Sequence, residues 1–511
     1  MSVSANKDEA ALGVDIGTSS SKGVLVTLDG RLLATAVREH AVERPLPGRV
    51  EMDAGVWWSE LVAITRELLQ GHDVRVVAVG LSGMGPCVLL TDDEGVPLRP
   101  AILYGVDTRA EAQIEELNER FSREAIVARC GSELSTQAVG PKLAWVAENE
   151  PDVFERARRV FGPSSWLVHR LTGEYVLDHH SASQSTPLYD ISANEWHRPW
   201  WDELADGIAM PSLAWSGDVV GAVTPLAALE TGLDPGTPVI AGTIDAWAEA
   251  VSADAHRTGD LMLMYGSTMF LISTVEELLT APTLWTTVGV YPGSCNLAGG
   301  MATSGAVTAW LDNVFGSPGY EELLREAGAS GAGARGLLML PYLAGERTPI
   351  ADPRARGVIA GLTLSHTRGD LYRAALEATA LGVRHNVDAL EAAGARIDRI
   401  VAVGGGTQGG LWTQIVSDVT GRPQQIPTHT IGASLGVAFL AARAVGDPSA
   451  ADWNPVAAVV EPNAEHAAGY DALYQLYLDL YPATRDVVHA LAALQLEPHV
   501  PAVPTAQKGH P

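Results

Sequence analysis

The alternation of apolar and polar segments predicts two similar arrangements of strands and helices along the chain. The first half opens with LGVDI, a polar GTSSSK turn and GVLVTL at residues 11–28, and a further strand is expected at 30–38 after the Asp29-Gly30 hairpin signal. Helical apolar spacing follows at 57–69, and the β-branched run VRVVAVGLS predicts a strand. Antiparallel strands therefore open this region, which a purely parallel, doubly wound fold would not show.

The same order of elements returns in the second half. A strand near 260–263 leads into a Gly266-Ser267-Thr268 turn and a second strand at 269–272. A helix is predicted at 370–393, then a strand at RIVAVGGG and a helix at LWTQIVSDVTG that ends at Gly421. This weak repeat predicts two related domains, at residues 1–252 and 253–490. The Pro-rich end of the chain, 491–511, is expected to be disordered.

Composition and charge narrow the classes of partner. The 511 residues are 47% hydrophobic and 19% charged, which is typical of globular domains with large cores. The net charge of −27 disfavours nucleic acid and anionic membranes as partners. Three cysteines, Cys87, Cys130 and Cys295, form no CxxC pair, and the N-terminus lacks a signal-peptide pattern, so a cytoplasmic location is expected.

Three types of phosphate site differ in the residues that they require. A P-loop requires a lysine after glycine, and none of the four lysines follows one. The GxGxxG at 404–409 lies between a predicted strand and helix, as in a dinucleotide fold, but no acidic residue follows in GRPQQIPTHT to hold a ribose. Glycines there would still allow a nucleotide to approach the backbone, and a simple tight turn is the alternative.

The third type is the turn from Asp15 to Lys22. An aspartate at a strand end, a glycine and several hydroxyl groups suit a phosphate that carries a metal ion, and Lys22 adds positive charge. Taken alone, a Ser-rich hairpin of this kind is also an ordinary structural turn.

Together these motifs are similar to those of the FGGY carbohydrate kinases of the actin-like ATPase superfamily. GVDIGTSSSKGVL resembles the first phosphate motif, AGTIDAWAEA the second, and VAVGGGTQGGLWTQIVSDVTG the adenosine-binding loop. GVIAGLTLSHTRGDLYRAALE matches the C-terminal signature, and YLAGERTPIADPRARG resembles xylulokinase and its neighbours. The resemblance spans residues 11 to about 445. It implies an α/β fold of two actin-like (ribonuclease H-like) domains, with sugar and phosphate sites in the N-terminal one, nucleotide sites in the C-terminal one and a cleft between them.

The resemblance also implies an activity and a set of site residues. The expected reaction is transfer of the γ-phosphate of ATP, with Mg²⁺, to a hydroxyl of a small ketose or polyol. Asp245 is the expected catalytic base, a helix cap being its alternative role, and Asp15 is the expected metal ligand. The expected nucleotide and phosphate contacts are Asp15, Gly17, Thr18, Ser19, Ser20, Lys22, Gly266, Ser267, Thr268, Gly305, Gly404, Gly405, Gly406, Gln408 and Trp412. The expected substrate contacts are Gly85, Pro86, Asp107, Arg109 and Asp245, although a structural salt bridge is an equal alternative for Arg109.

Several positions depart from the family pattern. Val139 stands where Pro, Ser or Thr is usual; Gly85-Pro86 replaces the Met-His pair of xylulokinases; and Ala246 replaces the Asn or Gln that follows the catalytic aspartate. The acceptor therefore stays open among xylulose, ribulose, erythritol or erythrulose, and glycerol. A non-catalytic actin-like ATPase is the remote alternative, and a homodimer stays open as an assembly.

Overall fold

Two β-sheets with flanking helices form the framework of the computed structural model, which describes residues 8–496. The strands of the first half are β1 (Asp8–Ile16), β2 (Ser20–Thr27), β3 (Leu32–Glu39), β4 (Glu51–Met52), β5 (Val74–Gly83), β6 (Leu89–Thr91), β7 (Ala101–Ile102), β8 (Arg159–Phe161), β9 (Val176–Asp178), β10 (Tyr189–Asp190), β11 (Glu195–Trp196), β12 (Ser212–Ala214), β13 (Val219–Ala222), β14 (Pro238–Ile240) and β15 (Thr243–Ile244). Its helices are α1 (Ala54–Leu69), α2 (Glu111–Phe121), α3 (Arg123–Cys130), α4 (Val139–Asn149), α5 (Pro151–Arg156), α6 (Pro163–Thr172), α7 (His179–Ser183), α8 (Arg198–Leu204), α9 (Pro225–Thr231) and α10 (Asp245–Ser252).

The second half repeats this mixture of strands and helices. Its strands are β16 (Asp260–Tyr265), β17 (Met269–Val275), β18 (Trp285–Val288), β19 (Cys295–Met301), β20 (Leu338–Leu340), β21 (Val358–Ala360), β22 (Arg399–Val403), β23 (Gln424–Pro427) and β24 (Val456–Val460). Its helices are α11 (Gly305–Val314), α12 (Tyr320–Ser330), α13 (Arg368–Ala392), α14 (Leu411–Thr420), α15 (Ala433–Val445), α16 (Ala450–Trp453) and α17 (Ala467–Leu496).

Both large sheets contain the same hairpin beside a parallel strand. In the first sheet the order is β13-β14-β5-β1-β2-β3, and β15 also pairs with β5. In the second it is β18-β19-β17-β16-β22-β23-β24. The β1–β2 and β16–β17 hairpins are antiparallel, whereas β1 runs parallel to β5 and β16 parallel to β22. The repeat predicted from the sequence is thus present, and in each sheet the hairpin turn lies at the carboxyl end of the parallel pair.

Helix α15 comes from the second half but packs on the first sheet, against β1, β5 and α10. A Cβ on Gly80 would lie 2.1 Å from the carbonyl oxygen of Val437, and one on Gly436 would lie 1.8 Å from that of Ala248. Glycine at both positions lets the backbones approach closely. The boundary at residue 252 stays a prediction, and a helix from beyond it completes the first sheet.

The C-terminal end of the described chain is helical. Helix α17 runs to Leu496, so the prediction of disorder from residue 491 was wrong for 491–496, and 497–511 lie outside the described residues. Val488 and Ala492 are buried along this helix, which explains why it continues. Within residues 8–496, no helix has the length and apolar character needed to cross a membrane.

Candidate active site between the two sheets

Asp15 stands at the carboxyl end of β1, beside the end of β5. It is the register partner of Ser82, whose Oγ donates a hydrogen bond of 2.9 Å to Asp15 Oδ1. The turn that follows is closed by the N–H of Gly17, which donates to the carbonyl of Ser20 at 3.0 Å. The arrangement holds the carboxylate at the entrance of a turn whose backbone and hydroxyl groups face outward.

The remaining residues of this turn differ in exposure. Thr18 and Ser20 are half-buried, whereas Ser19 and Lys22 are exposed. His40, which follows β3 directly, contacts this turn twice. Its Nε2 lies 3.0 Å from the Gly17 carbonyl oxygen, and its backbone N–H donates to the carbonyl of Ser19 at 3.0 Å. No local motif marks His40, since the contact arises from the pairing of β2 with β3.

Asp245 reaches the same edge of the sheet on a different element. Strand β15 runs parallel to β5, and Asp245 is the first residue of α10 immediately after it. The N-cap position belongs to Ile244, and no side-chain cap hydrogen bond is found there. Asp245 Oδ1 accepts only a 2.7 Å bond from the neighbouring Ala246 N–H, so the helix-cap alternative does not account for this residue.

Three acidic side chains share this region with one lysine. Burial raises the pKa of Asp15 to about 7, of Asp245 to about 6 and of Glu249 to about 7. Repulsion from Asp245 adds to the increase at Asp15 and Glu249, while attraction to Lys22 opposes it. The surplus of carboxylates favours a bound cation. Glu249 was missed by the sequence analysis, because nothing local distinguishes it within an alanine-rich helix.

The corresponding turn of the second sheet is held by backbone contacts. The N–H of Gly266 donates to the Thr268 carbonyl at 3.1 Å, and the N–H groups of Ser304 and Gly305 donate to Ser267 and Gly266 at 2.9 Å. A Cβ on Gly305 would lie 2.7 Å from the Gly266 carbonyl oxygen. Gly305 therefore allows α11 to approach and support the turn, while Thr268 lines the cleft.

The glycine-rich loop after β22 combines exposed and buried positions. Gly405 and Gln408 are exposed, whereas a Cβ on Gly406 would lie 2.8 Å from the ring of Trp412. Trp412 is buried beneath the loop and donates its indole N–H to Thr379 Oγ1 at 2.9 Å. Trp412 therefore supports the loop from below, and its predicted contact with a nucleotide stays a prediction. Gly404 adopts a φ of +91°, a conformation that favours glycine.

Asp107 and Arg109 form a buried ion-pair network. The Arg109 guanidinium donates to Asp107 Oδ2 and to Glu51 Oε1, each at 2.7 Å, and its side chain is 1% exposed. Asp107 also accepts the N–H of Val50 at 2.6 Å. The predicted substrate contacts of Asp107 and Arg109 are therefore corrected to the structural salt bridge, because their polar atoms are already engaged by partners distant in sequence.

A cavity of about 300 Å³ lies between the two halves of the chain, next to Asp245. This volume is at the lower end of the range for small-molecule sites, roughly 300–1,000 Å³. Its lining includes Gly85, Tyr104, Gln137, Gln184, Asp245, Ala246 and Trp247 from the first half, and Thr268, Phe270, Trp285 and Arg347 from the second. Pro86 is buried and lines a separate, mostly apolar cavity that Gly85 also lines, so its direct contact with substrate stays a prediction.

The amide of Gln184 is oriented by a buried histidine. His180 Nδ1 lies 2.7 Å from the Val288 carbonyl oxygen, so Nδ1 carries the proton and Nε2 accepts from the Gln184 amide N–H at 2.7 Å. Burial lowers the pKa of His180 to about 3, which keeps the ring neutral. The amide oxygen of Gln184 is thereby left to accept a hydrogen bond from a ligand. The sequence carried no signal for this pair, because Val288 belongs to the other sheet.

Comparisons with known proteins agree with this geometry. The models of the N-terminal and C-terminal domains of the FGGY family of carbohydrate kinases match residues 10–252 and 261–445. A xylulose kinase of Staphylococcus epidermidis is 29% identical over 95% of this chain and 99% of its own, and an FGGY carbohydrate kinase domain-containing protein of Danio rerio is 30% identical over 93% and 98%. The crystal structure of xylulose kinase from Rhodospirillum rubrum superposes with a TM-score of 0.88, at 33% identity over 94% of this chain and 100% of that one. The predicted fold of two actin-like α/β domains is confirmed.

Proposed function

Because the chain belongs to the FGGY family of carbohydrate kinases, and so is an ATP-dependent phosphotransferase that acts on a sugar hydroxyl, we propose that its acceptor is a small ketose, with D-xylulose as the first substrate to test. One observation carries this proposal. The half-buried side chain of Asp245 lines a cleft together with polar groups for a sugar and with the second-sheet turn at Thr268.

Asp245 is proposed as the base of the reaction. An alcohol becomes a competent nucleophile when a carboxylate beside it accepts its proton. The acceptor oxygen then forms a bond to the γ-phosphorus, the bond from that phosphorus to the β–γ bridging oxygen breaks, and the electron pair stays on ADP. The proton of the acceptor hydroxyl passes to Asp245. The raised pKa of Asp245, about 6, makes it a better proton acceptor than an ordinary aspartate.

We assign Mg²⁺ binding to Asp15, with Glu249 nearby. The surplus of carboxylates, with Asp15 buried and Asp245 and Glu249 half-buried, fits a divalent cation, and magnesium is commonly held by one or two carboxylates together with substrate phosphates. Within residues 8–496 no group of three or more metal-ligating side chains is found. When bound, the ion would neutralise phosphate charge during transfer. The turns at Thr18–Ser20 and Ser267–Thr268 would hold phosphate oxygens by backbone N–H and hydroxyl groups.

The sugar side of the cleft explains why the acceptor needs a test. The Gly85-Pro86 pair and Ala246 offer no side-chain hydrogen bond where the xylulokinases carry a Met-His pair and Asn. Tyr104, Gln137 and Gln184 supply polar atoms at the same cavity and can replace them. A ketose or polyol of about three to six carbons is therefore proposed, rather than xylulose alone.

The test is a comparison of kcat/KM for D-xylulose, ribulose, erythrulose, erythritol and glycerol, with ADP release as the readout. We expect a ketose to be preferred over glycerol by at least tenfold. Turnover of ATP that no sugar or polyol stimulates would contradict the proposal.

The proposed location of the protein is the cytoplasm. The three cysteines are unpaired, which agrees with a reducing, cytoplasmic environment. A homodimer stays open and is tested by the mass of the protein in solution.

A further inference from the structure

Arg347 extends into the sugar cleft without a side-chain partner. Its backbone N–H donates to Glu346 Oε1 at 2.7 Å, but within residues 8–496 no hydrogen bond or ion pair engages its guanidinium. The group lines the same cavity as Asp245 and Thr268. The side chain of Arg347 is exposed, so its guanidinium is open to an anionic ligand that enters this cleft.

The loop that carries Arg347 is held on both sides. Glu346 and Asp352 exchange two backbone hydrogen bonds of 2.9 Å, and Asp352 is bonded to Tyr481 and His489 of α17. On the other side, Thr348 Oγ1 accepts the N–H of Gly300 at 2.6 Å. The backbone that carries the Arg347 side chain is thus held in place, which lowers the entropic cost of binding a ligand.

The neighbouring Glu346 attracts Arg347 electrostatically, but its carboxylate makes no hydrogen bond or ion pair with the guanidinium. One carboxylate oxygen of Glu346 accepts the N–H groups of Ala302 and Arg347, each at 2.7 Å, and the side chain is buried. Glu346 therefore shapes the loop, while the Arg347 guanidinium remains directed at the cleft.

The position of Arg347 relative to the first domain identifies the class of ligand. Arg347 lines one cavity with Tyr104, Asp245 and Thr268, and Tyr104 Oη lies 2.9 Å from Thr18 Oγ1 of the first phosphate turn. Arg347 therefore borders the space between the proposed base and the second-sheet turn at Thr268. A phosphoryl group must occupy this space in every turnover of a sugar kinase, whereas a charged group on the sugar is not required.

We propose that Arg347 is an oxyanion-binding residue that contacts the transferring phosphoryl group, and then the phosphate of the sugar phosphate product, from the second domain. This inference rests on the proposed function, because it assumes that the reaction is transfer of a phosphoryl group to a sugar. Guanidinium groups suit this task because their N–H groups match the geometry of phosphate oxygens. Supplied from the domain opposite Asp245, the charge would reach the phosphoryl group when the cleft closes.

The test compares Arg347→Gln and Arg347→Lys with Arg354→Gln, which removes the same charge from an exposed position on the same loop. We expect Arg347→Gln to lower kcat by about 10²–10³-fold, with KM for ATP and for sugar changed by less than about threefold, because the contact is made mainly in the transition state. Arg347→Lys should recover part of kcat, and Arg354→Gln should retain the wild-type value.

A second measurement does not depend on the sugar. Calorimetry measures the affinity for ADP and Mg²⁺ with and without aluminium fluoride, which mimics the transferring phosphoryl group. We expect Arg347→Gln to weaken binding at least tenfold when aluminium fluoride is present and to leave the affinity for ADP alone unchanged. If no acceptor is turned over by the wild type, the proposed function fails while this measurement still tests Arg347. Loss of sugar affinity with kcat unchanged, or equal behaviour of the Arg347 and Arg354 variants in both assays, would overturn the inference.

Discussion

Tyr104 Oη and Thr18 Oγ1 lie 2.9 Å apart, which joins the wall of the sugar cavity directly to the first phosphate turn. Both side chains belong to the first domain, so an acceptor bound against Tyr104 has a fixed relation to that turn. The second domain, with Thr268 and Arg347, supplies the opposing wall. Closure of the cleft would then exclude water, which competes with the sugar for the phosphoryl group.

Asp245→Asn should lower kcat by about 10²–10⁴-fold, because the amide cannot accept the proton of the acceptor hydroxyl. The fold and nucleotide affinity should be retained, since Asp245 makes only a local bond to Ala246. Steady-state kinetics and calorimetry with ATP measure the two effects. Asp202→Asn, on the exposed surface of α8, is the matched control. A kcat near the wild-type value in a folded Asp245→Asn variant would remove the assignment.

Asp15→Ala should change the dependence on Mg²⁺ far more than the affinity for sugar. The substitution removes the carboxylate that Ser82 orients at the phosphate turn, so a higher Mg²⁺ concentration should be needed for half-maximal turnover. A titration of Mg²⁺ at saturating ATP measures this, and sugar binding by calorimetry is the internal control. An unchanged Mg²⁺ dependence would show that the ion is held elsewhere.

Gly436→Ala should destabilise the protein by at least about 2 kcal/mol, because the new Cβ would overlap the carbonyl oxygen of Ala248 and force α15 away from α10. Since α10 begins at Asp245, kcat should fall as well. Gly469→Ala, in helix α17 with open space around it, is the control and should be neutral or stabilising by up to about 1 kcal/mol. Denaturant unfolding distinguishes the two, and equal stability of both variants would contradict the packing argument.

The buried ring of His180 should make stability depend on pH in the acidic range. Its pKa is about 3 in the folded protein against 6.5 for an unburied histidine, so the unfolded chain binds a proton that the native state excludes. The contribution to the free energy of unfolding is therefore lost as the pH falls from about 6.5, by up to about 1.4 kcal/mol per pH unit.

Urea unfolding of the wild type and of His180→Gln between pH 7 and pH 5 measures this slope. The variant should show a shallower decrease, because glutamine does not titrate. His72→Gln, in the segment that follows α1, is the control for replacing a histidine elsewhere in the chain. Parallel curves for the wild type and His180→Gln would disprove the contribution of His180.

The parts of the site that the sequence predicted are those encoded locally. A strand, a short polar turn and a second strand specify the positions of Asp15 and Thr268 without reference to the rest of the chain. Arg109 shows the limit of this reasoning: the spacing Asp-x-Arg suits either a sugar contact or an ion pair. The deciding partner, Glu51, lies 58 positions away.

Long-range packing also decides the residues that the sequence analysis missed. Gln184 becomes a directed hydrogen-bond acceptor only because His180 is fixed by a carbonyl of the second sheet. Glu249 matters because it lies near Asp15 and Lys22 in space. Trp412 is buried because the glycine-rich loop packs directly on its ring at Gly406. Such relations depend on how the two sheets are placed, which no local pattern specifies.

The packing of α15 on the first sheet has a consequence for folding during translation. During translation, β1 and β5 leave the ribosome some 350 residues before the helix that covers them, a delay of roughly 20–70 s at typical elongation rates. Until then, the surface around Ala11 and Ala78 that receives Leu435 and Phe439 remains open to water and to other chains. A gene fragment that stops at residue 252 would leave this surface permanently uncovered, so the first half is expected to aggregate when produced alone and to be rescued by co-expression with the second.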